Sequence, residues 1–198
     1  MPEHTAHHNH DDDGRSREIE SYARQGMDWL AHRLFEHNFG LPKSVLELGC
    51  DYGTCLNQLR SMNPGIVRRV AGVDTHFSIN PFNLDIRRWD MTDPNLRHLF
   101  KDEKFDLVVL NHSLEHVYNP YAAIAAARSM LDPNDGLVFI AVPHRKSEWA
   151  FWEYHYTIWD ERWLVHFMQL NGFSSVCPVE TVELRAGHAE IWGLFIRA

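Results

Sequence analysis

SVLELGCDYGTCLNQL, residues Ser44 to Leu59, is the stretch that decides the fold. Val45, Leu46 and Leu48 supply an apolar strand, Gly49 and Gly53 bracket a turn, and Leu56 and Leu59 share one face of a helix that begins at Thr54. A strand, a tight glycine turn and a helix in this order gather backbone N–H groups and the positive end of a helix dipole at one point. Anionic ligand groups are favoured there. Glycine suits such a turn because the chain reverses sharply and a ligand can approach the backbone without meeting a Cβ. Plain strand-to-helix turns share this spacing, so the residues after Gly53 have to decide between a ligand cradle and a simple connection.

Downstream, strand and helix patterns alternate. Ile66 to Val73 reads as a second strand ending at Asp74, followed by a polar loop over Thr75 to Asn83. Asp85 to Trp89 is a short third strand, Pro94 opens a short helix reaching Phe100, and Phe105 to Leu110 is an almost wholly apolar fourth strand. An alanine-rich helix from Asn119 or Pro120 to Leu131 leads through DPNDG into a fifth strand, Leu137 to Val142. After an aromatic stretch, His144 to Trp159, the spacing predicts a helix over Asp160 to Asn171 stopped by Gly172. Two strands follow, about Ser174 to Glu183 and Ala189 to Ile196. Upstream, Ile19, Tyr22, Ala23, Met27, Leu30, Leu34 and Phe35 carry a helical period, so residues 16–40 form an N-terminal helix, a lid or a buttress over the first strand.

Strands alternating with helices imply a parallel sheet covered on both faces, and two last strands joined by a short loop must pair antiparallel. The expected fold class is therefore α/β: a Rossmann-like, doubly wound, mostly parallel seven-stranded sheet with one antiparallel strand near the C-terminus. Residues 16–198 make one domain, preceded by a disordered His/Asp-rich tail over residues 1–15. Nineteen Lys and Arg against 27 Asp and Glu give a net charge of −8, a field that does not favour nucleic acid or an anionic membrane. The apolar runs are too short to span a bilayer, and the polar N-terminus does not read as a secretory signal. Cys50, Cys55 and Cys177 are an odd set without metal-type spacing, expected as free thiols in a reducing cytoplasm.

At the carboxyl ends of these strands stand polar residues suited to a nucleoside. Asp74 is placed to accept hydrogen bonds from both hydroxyls of a ribose held over the glycine turn, or else to cap its strand. Asp90 can accept from an adenine amine while the Met91 backbone N–H meets a ring nitrogen; as a lone residue Asp90 also suits a turn. Together these residues resemble the class I S-adenosylmethionine-dependent methyltransferases, over about Ser44 to Phe173. The family's opening motif, E/D-x-G-x-G-x-G, is met by Glu47, Gly49, Asp51 and Gly53, with Asp51 standing where the family usually has glycine. FDLVVLNHSLEHVYNP, LDPNDGLVFIAVPH and HYTIWDERWLVHFMQLNGF are similar to later signatures of its small-molecule branch. The resemblance implies S-adenosylmethionine held by Glu47, Gly49, Asp51, Gly53, Asp74, Asp90, Met91 and Asn111, and a small-molecule methyl acceptor that presents an oxygen.

An oxygen acceptor must lose a proton or be held by a metal. His112 and His116, at the end of the fourth strand, are the candidate bases. His112-x-x-Glu115-His116 also resembles the E-x-x-E-H motif of the metal-assisted branch, which includes small-RNA 2′-O-methyltransferases and ubiquinone-pathway O-methyltransferases. There a later histidine, here resembled by His155, completes the site. The resemblance thus implies a divalent metal on His112, Glu115, His116 and His155, with the imidazole at 112 shifting preference from magnesium toward zinc, iron or manganese. The other reading has Glu115 and His116 capping the next helix or shaping the pocket. The aromatic residues Trp149, Phe151, Trp152, Tyr154, Tyr156 and Trp159 suit an acceptor pocket, packing on the sheet, or a homodimer contact. Two rival functions stand beside this one. A metal-assisted RNA 2′-O-methyltransferase is opposed by the lack of a basic tract. A methyltransferase-like binding or regulatory protein without catalysis is encouraged by Asp51, whose carboxylate would repel that of the cofactor.

Overall fold

The computed structural model describes residues 13–62, 64–76 and 79–198. Residues 1–12 of the expected tail lie outside this range, and the N-terminal helix, expected from Ser16, runs from Asp13 (α1, Asp13–Glu36). The strands are β1 (Ser44–Leu48), β2 (Arg69–Asp74), β3 (Asp85–Arg88), β4 (Leu107–Asn111), β5 (Leu137–Pro143), β6 (Phe173–Ser175), β7 (Glu180–Arg185) and β8 (His188–Arg197). Between them lie α2 (Thr54–Met62), α3 (Leu96–Leu99), α4 (Pro120–Met130) and α5 (Glu161–Leu170). They build one sheet in the order β3-β2-β1-β4-β5-β8-β6, with β7 also on β8. Strands β1 to β5 are parallel, and β8 runs antiparallel to β5.

The expected last-but-one strand, Ser174 to Glu183, is two strands. Pro178, which has no N–H to give a ladder, sits in the break between β6 and β7. Both pieces nevertheless pair with β8 along the edge opposite β5: Phe195 faces both Val138 and Ser175, and Ile191 faces both Val142 and Thr181. The sheet thus has eight strands in seven positions, and β8 is the reversed one.

Alternation along the strands sorts the core into two layers. Leu46, Leu48, Val108, Leu110 and Ile140 are buried with residues of α3, α4 and α5. Val45, Leu107, Val109 and Phe139 face the other way, onto Ala23, Met27, Leu30 and Leu34 of α1 and Leu56 and Leu59 of α2. The four α1 residues recur at the helical spacing that builds one apolar stripe. Glu180 on β7 fastens α1 further, accepting from Trp29 Nε1 at 3.0 Å and pairing with Arg33. This face of α1 is thus packed on the sheet and α2. Among the described residues no helix is long and apolar enough to cross a membrane.

Candidate active site

The turn after β1 depends on backbone conformations that side chains resist. Gly49 has φ +77°, and a Cβ there would lie 2.4 Å from Ser113 Cβ and 2.8 Å from Met91 Cε. Asp51 also takes a positive φ, 45°, which Asp tolerates better than most residues. Gly49 N–H and Cys50 N–H both donate to Val73 O, at 2.8 and 3.1 Å, so the turn is sewn to the end of β2. Asp74 completes the seam: its Oδ2 accepts from Asp51 N–H at 2.9 Å and its Oδ1 from His76 N–H at 2.8 Å. Asp90, at the corresponding end of β3, accepts through Oδ1 from the Thr92 N–H and hydroxyl, at 2.8 and 2.7 Å. Met91 is half-buried against Gly49, and Asn111 is half-buried at the end of β4. Asp74 and Asp90 thus fix their own loops, Asp74 keeping a lone pair on each oxygen and Asp90 keeping those of Oδ2 with which to meet a ligand.

Among the described residues, two buried polar atoms beside this turn lack partners. Glu47, on β1, is 2% exposed and its Oε2 has no hydrogen bond; Ser113 Oγ, next to Gly49, has none either. Burial pushes the Glu47 carboxyl up to about 8, against a hydrogen bond from the Cys55 thiol, with Asp74 and Asp51 raising it further. An ammonium or hydroxyl group in the cradle would satisfy atoms that the chain leaves unpaired. The residues fit a cofactor of the amino-acid nucleoside type.

The second part of the site starts at the end of β4. His112 has φ +51°, uncommon for a residue of its size, and its N–H donates to Ala141 O at 2.9 Å. Its ring lies between two buried carboxylates, Nδ1 at 3.4 Å from Glu115 Oε1 and Nε2 at 2.7 Å from Glu190 Oε1. Burial pulls the His112 pKa down, but Glu190 and Glu115 outweigh it and hold the ring well above its ordinary range. Glu190 is buried as well, which alone would raise its pKa; the His112 charge and hydrogen bonds from His112, His188 and Trp192 drive it to about 2. His112, expected as a base and a metal ligand, thus has both nitrogens committed to carboxylates, one of them arriving from β8.

Glu115, His116 and His155 do come together. One ligating atom from each lies within 4.8 Å of the others. A single turn of 3-10 helix, Leu114–His116, carries the first two. The aromatic stretch is strapped onto it: Tyr156 N–H donates to Glu115 O at 2.8 Å and the Thr157 hydroxyl to Leu114 O at 3.4 Å. His116 Nδ1 is 3.1 Å from Tyr154 O. A carbonyl only accepts, so Nδ1 carries the proton and Nε2 keeps its lone pair. The His116 and His155 rings meet edge to face at 4.6 Å. Glu115 is 1% exposed; its Oε1 faces His112 Nδ1 at 3.4 Å, and among the described residues its Oε2 and the buried His155 Nδ1 have no hydrogen-bond partner. Burial pulls the His155 pKa down, which keeps a lone pair available. One carboxylate and two imidazoles fit a borderline divalent ion with open positions.

The aromatic stretch divides. Trp159, expected at the acceptor pocket, is 1% exposed and packs on Phe167 in the core. Trp149 stands against His188, away from the cluster. Tyr156 remains half-open at the rim, stacked at 3.8 Å on Tyr118. Sequence reasoning missed Tyr118, Ser113, His188 and Glu190. For the last two a signal exists: His188, Glu190 and Trp192 alternate along an otherwise apolar strand, which puts three polar groups on one face of β8.

A parallel sheet with a ligand cradle at the switch between β1 and β4, and carboxylates at the ends of β2 and β3, defines a nucleotide-cofactor-binding α/β enzyme. The family described as "Methyltransferase domain" matches residues 19–177, and the chain belongs to that family. It is a Rossmann-like methyltransferase domain. A ubiquinone biosynthesis O-methyltransferase from Glaesserella parasuis is 30% identical over 117 residues, covering 54% of this chain and 48% of that protein. The chain thus spans about half the length of this curated relative. Among solved structures, a 1,6-didemethyltoxoflavin N1-methyltransferase from Burkholderia thailandensis, bound to its substrate and S-adenosylhomocysteine, superposes with a TM-score of 0.67. It is 17% identical, over 94% of this chain and 83% of that one. A magnesium protoporphyrin IX methyltransferase from Synechocystis, with S-adenosylmethionine bound, gives 0.63 at 16% identity, over 94% and 85% of the two chains. At such identities the likeness is one of fold.

Proposed function

We propose that this chain transfers the methyl group of S-adenosylmethionine to an oxygen of a small molecule, with Glu115, His116 and His155 as the holders of a divalent ion beside the acceptor. The reading rests on one observation above all: a buried carboxylate with one oxygen on His112 and the other without a partner among the described residues, beside the imidazoles of His116 and His155 and two residues from Ser113 at the glycine cradle. The oxygen acceptor in the name of the Glaesserella parasuis relative supports it. So does the net charge of −8, which opposes an RNA acceptor.

The cofactor supplies an electrophilic methyl group, attacked in line by the acceptor. A bound divalent ion supplies Lewis-acid polarisation and makes a hydroxyl easier to deprotonate. The chain supplies alignment. Asp74 is the ribose partner, Glu47 and Ser113 meet the amino-acid end, and the backbone around Gly49 fixes the depth at which the cofactor sits. Tyr154 O fixes the orientation of the His116 ring through Nδ1, which leaves Nε2 as the nitrogen open to a ligand. Tyr118 and Tyr156 offer an aromatic wall at the rim for a flat acceptor.

The test uses the full chain with His4, His7, His8 and His10 changed to alanine, so that tail histidines do not bind metal. Calorimetry with S-adenosylmethionine and S-adenosylhomocysteine should show binding to the cradle. S-adenosylhomocysteine release is then followed over a panel of small phenols and catechols, with and without a chelator. Loss of turnover on chelation and recovery with manganese or zinc is expected. Turnover indifferent to chelators would leave His116 as a metal-free base, and cofactor binding without turnover would favour a non-catalytic role.

A further inference from the structure

We infer that Glu190 is a positioning residue of this site, holding His112 so that His112 in turn fixes the carboxylate of Glu115. The inference rests on the ion-binding reading of Glu115, His116 and His155 given above. Glu190 lies on β8 opposite Pro143 of β5, 1% exposed, with a full set of donors. Trp192 Nε1 gives to its Oε2 at 2.7 Å, and His112 Nε2 meets its Oε1 at 2.7 Å, with His188 Nε2 at 3.4 Å from the same oxygen. His188 is itself walled in, stacked at 4.9 Å on Tyr22 of α1 and edge-on at 4.4 Å to Trp149. Glu190 can therefore move little.

Taking a carboxylate out of water costs several kcal/mol, and a buried ion pair seldom adds more stability than an apolar pair of the same volume. Fastening β8 to β4 is a poor reason for such a group, because β5 already lies between them and pairs with both. A second cost points the same way. His112 stands in the left-handed region, which strains a residue with a Cβ. Both are explained by where the His112 ring is delivered, between Glu190 and Glu115, with Nδ1 3.4 Å from Glu115 Oε1. A carboxylate that ligates through one oxygen is commonly held through the other by such a donor, and removing outer partners of this kind weakens metal binding about 10- to 100-fold. Glu190, His112 and Glu115 form that chain, and its far end is locked into β8.

The experiment is a manganese titration, followed by electron paramagnetic resonance, of the full chain with the four tail histidines changed to alanine. Glu190→Gln keeps the volume, and His112→Asn keeps a residue that accepts positive φ but cannot span both carboxylates. Each should weaken manganese binding about 10- to 100-fold. The double variant should bind no more than about threefold more weakly than the weaker single, since the two act through one chain. Should Glu190→Gln not fold, His112→Asn alone must show the loss. Folded variants that bind like the parent, or losses that multiply in full, overturn the inference and leave the ion-binding reading intact. A parent whose manganese binding is untouched by His116→Ala with His155→Ala overturns both.

Discussion

The two halves of the site are built in opposite ways. The cradle is one continuous stretch of chain, Ser44 to Leu59, and works through its backbone: positive φ at Gly49, Asp51 and Gly53, and N–H groups tied to Val73 O and Asp74. The reacting end is assembled from side chains of three distant segments, Asn111 to Tyr118, Tyr154 to Thr157 and His188 to Trp192, brought together by the pairing of β4, β5 and β8. A backbone site tolerates many side chains but no added bulk at its glycines. A side-chain site tolerates backbone variation and loses its chemistry with one imidazole. Cofactor affinity and turnover should therefore respond to different substitutions.

The largest expected effect is on turnover. His116→Ala removes an imidazole of the Glu115, His116 and His155 cluster, and should lower the rate of methyl transfer about 10²- to 10⁴-fold. Calorimetric affinity for S-adenosylhomocysteine should stay within about threefold of the parent, since the hydrogen bond and ring contact of the His116 side chain go to Tyr154 and His155 in the aromatic stretch. An equal loss in both measurements would break the division between the halves. The converse variant is Gly49→Ala. Its Cβ would sit 2.4 Å from Ser113 Cβ, and φ +77° is strained for alanine. Overpacking of about 1–3 kcal/mol and left-handed strain of about 1–2 kcal/mol together predict a loss of folding stability of about 2–5 kcal/mol, and the shift of the turn that relieves them should lower cofactor affinity by more than about tenfold. Affinity within threefold of the parent would show that the turn is not the cradle.

The same contrast governs what could be read before folding. The cradle was legible because its determinants are neighbours in sequence, and Asp74 and Asp90 because strand ends are marked by the polar residues that follow. Glu115, His116 and His155 were legible only through resemblance, since nothing in spacing says that residue 155 returns to residue 115; the return is made by Tyr156 N–H on Glu115 O. The role of His112 was not legible. Its partner Glu190 arrives by antiparallel pairing of β8 on β5, a register that sequence fixes only through the apolar alternation of the whole strand. The break between β6 and β7 had a visible cause in Pro178, which a reading by hydrophobic pattern passed over.

A smaller effect concerns protons inside the cradle. The Glu47 carboxyl is pushed up to about 8 from an ordinary value of 4.5, mainly by burial. Between these values the folded chain holds a proton that the unfolded chain has released. Stability therefore falls as pH rises through that window, by up to about 1.4 kcal/mol per pH unit from this group, and levels off above about 8. Glu47→Gln cannot ionise, so its urea-derived stability should decline less than that of the parent between pH 5 and pH 8. Parallel profiles would mean that Glu47 is already ionised and paired, and that the cradle is less apolar than its burial implies.

The smallest effect tests the one position where the motif departs from its family. Asp51→Gly removes a negative charge beside Asp74 and relieves φ 45° of a Cβ, while keeping the N–H that Asp74 Oδ2 accepts at 2.9 Å. Glycine costs about 0.5–1 kcal/mol in backbone entropy, which the relief of left-handed strain roughly offsets, so the melting temperature should hardly move. Affinity should stay the same or tighten by up to about tenfold, because a carboxylate near that of the cofactor repels it. The two ligands should differ. S-adenosylmethionine carries a sulfonium charge that Asp51 attracts, and S-adenosylhomocysteine does not, so Asp51→Gly should favour the product over the cofactor. A large loss for both would show that Asp51 is a contact rather than an obstacle, and that the cradle relies on a side chain after all.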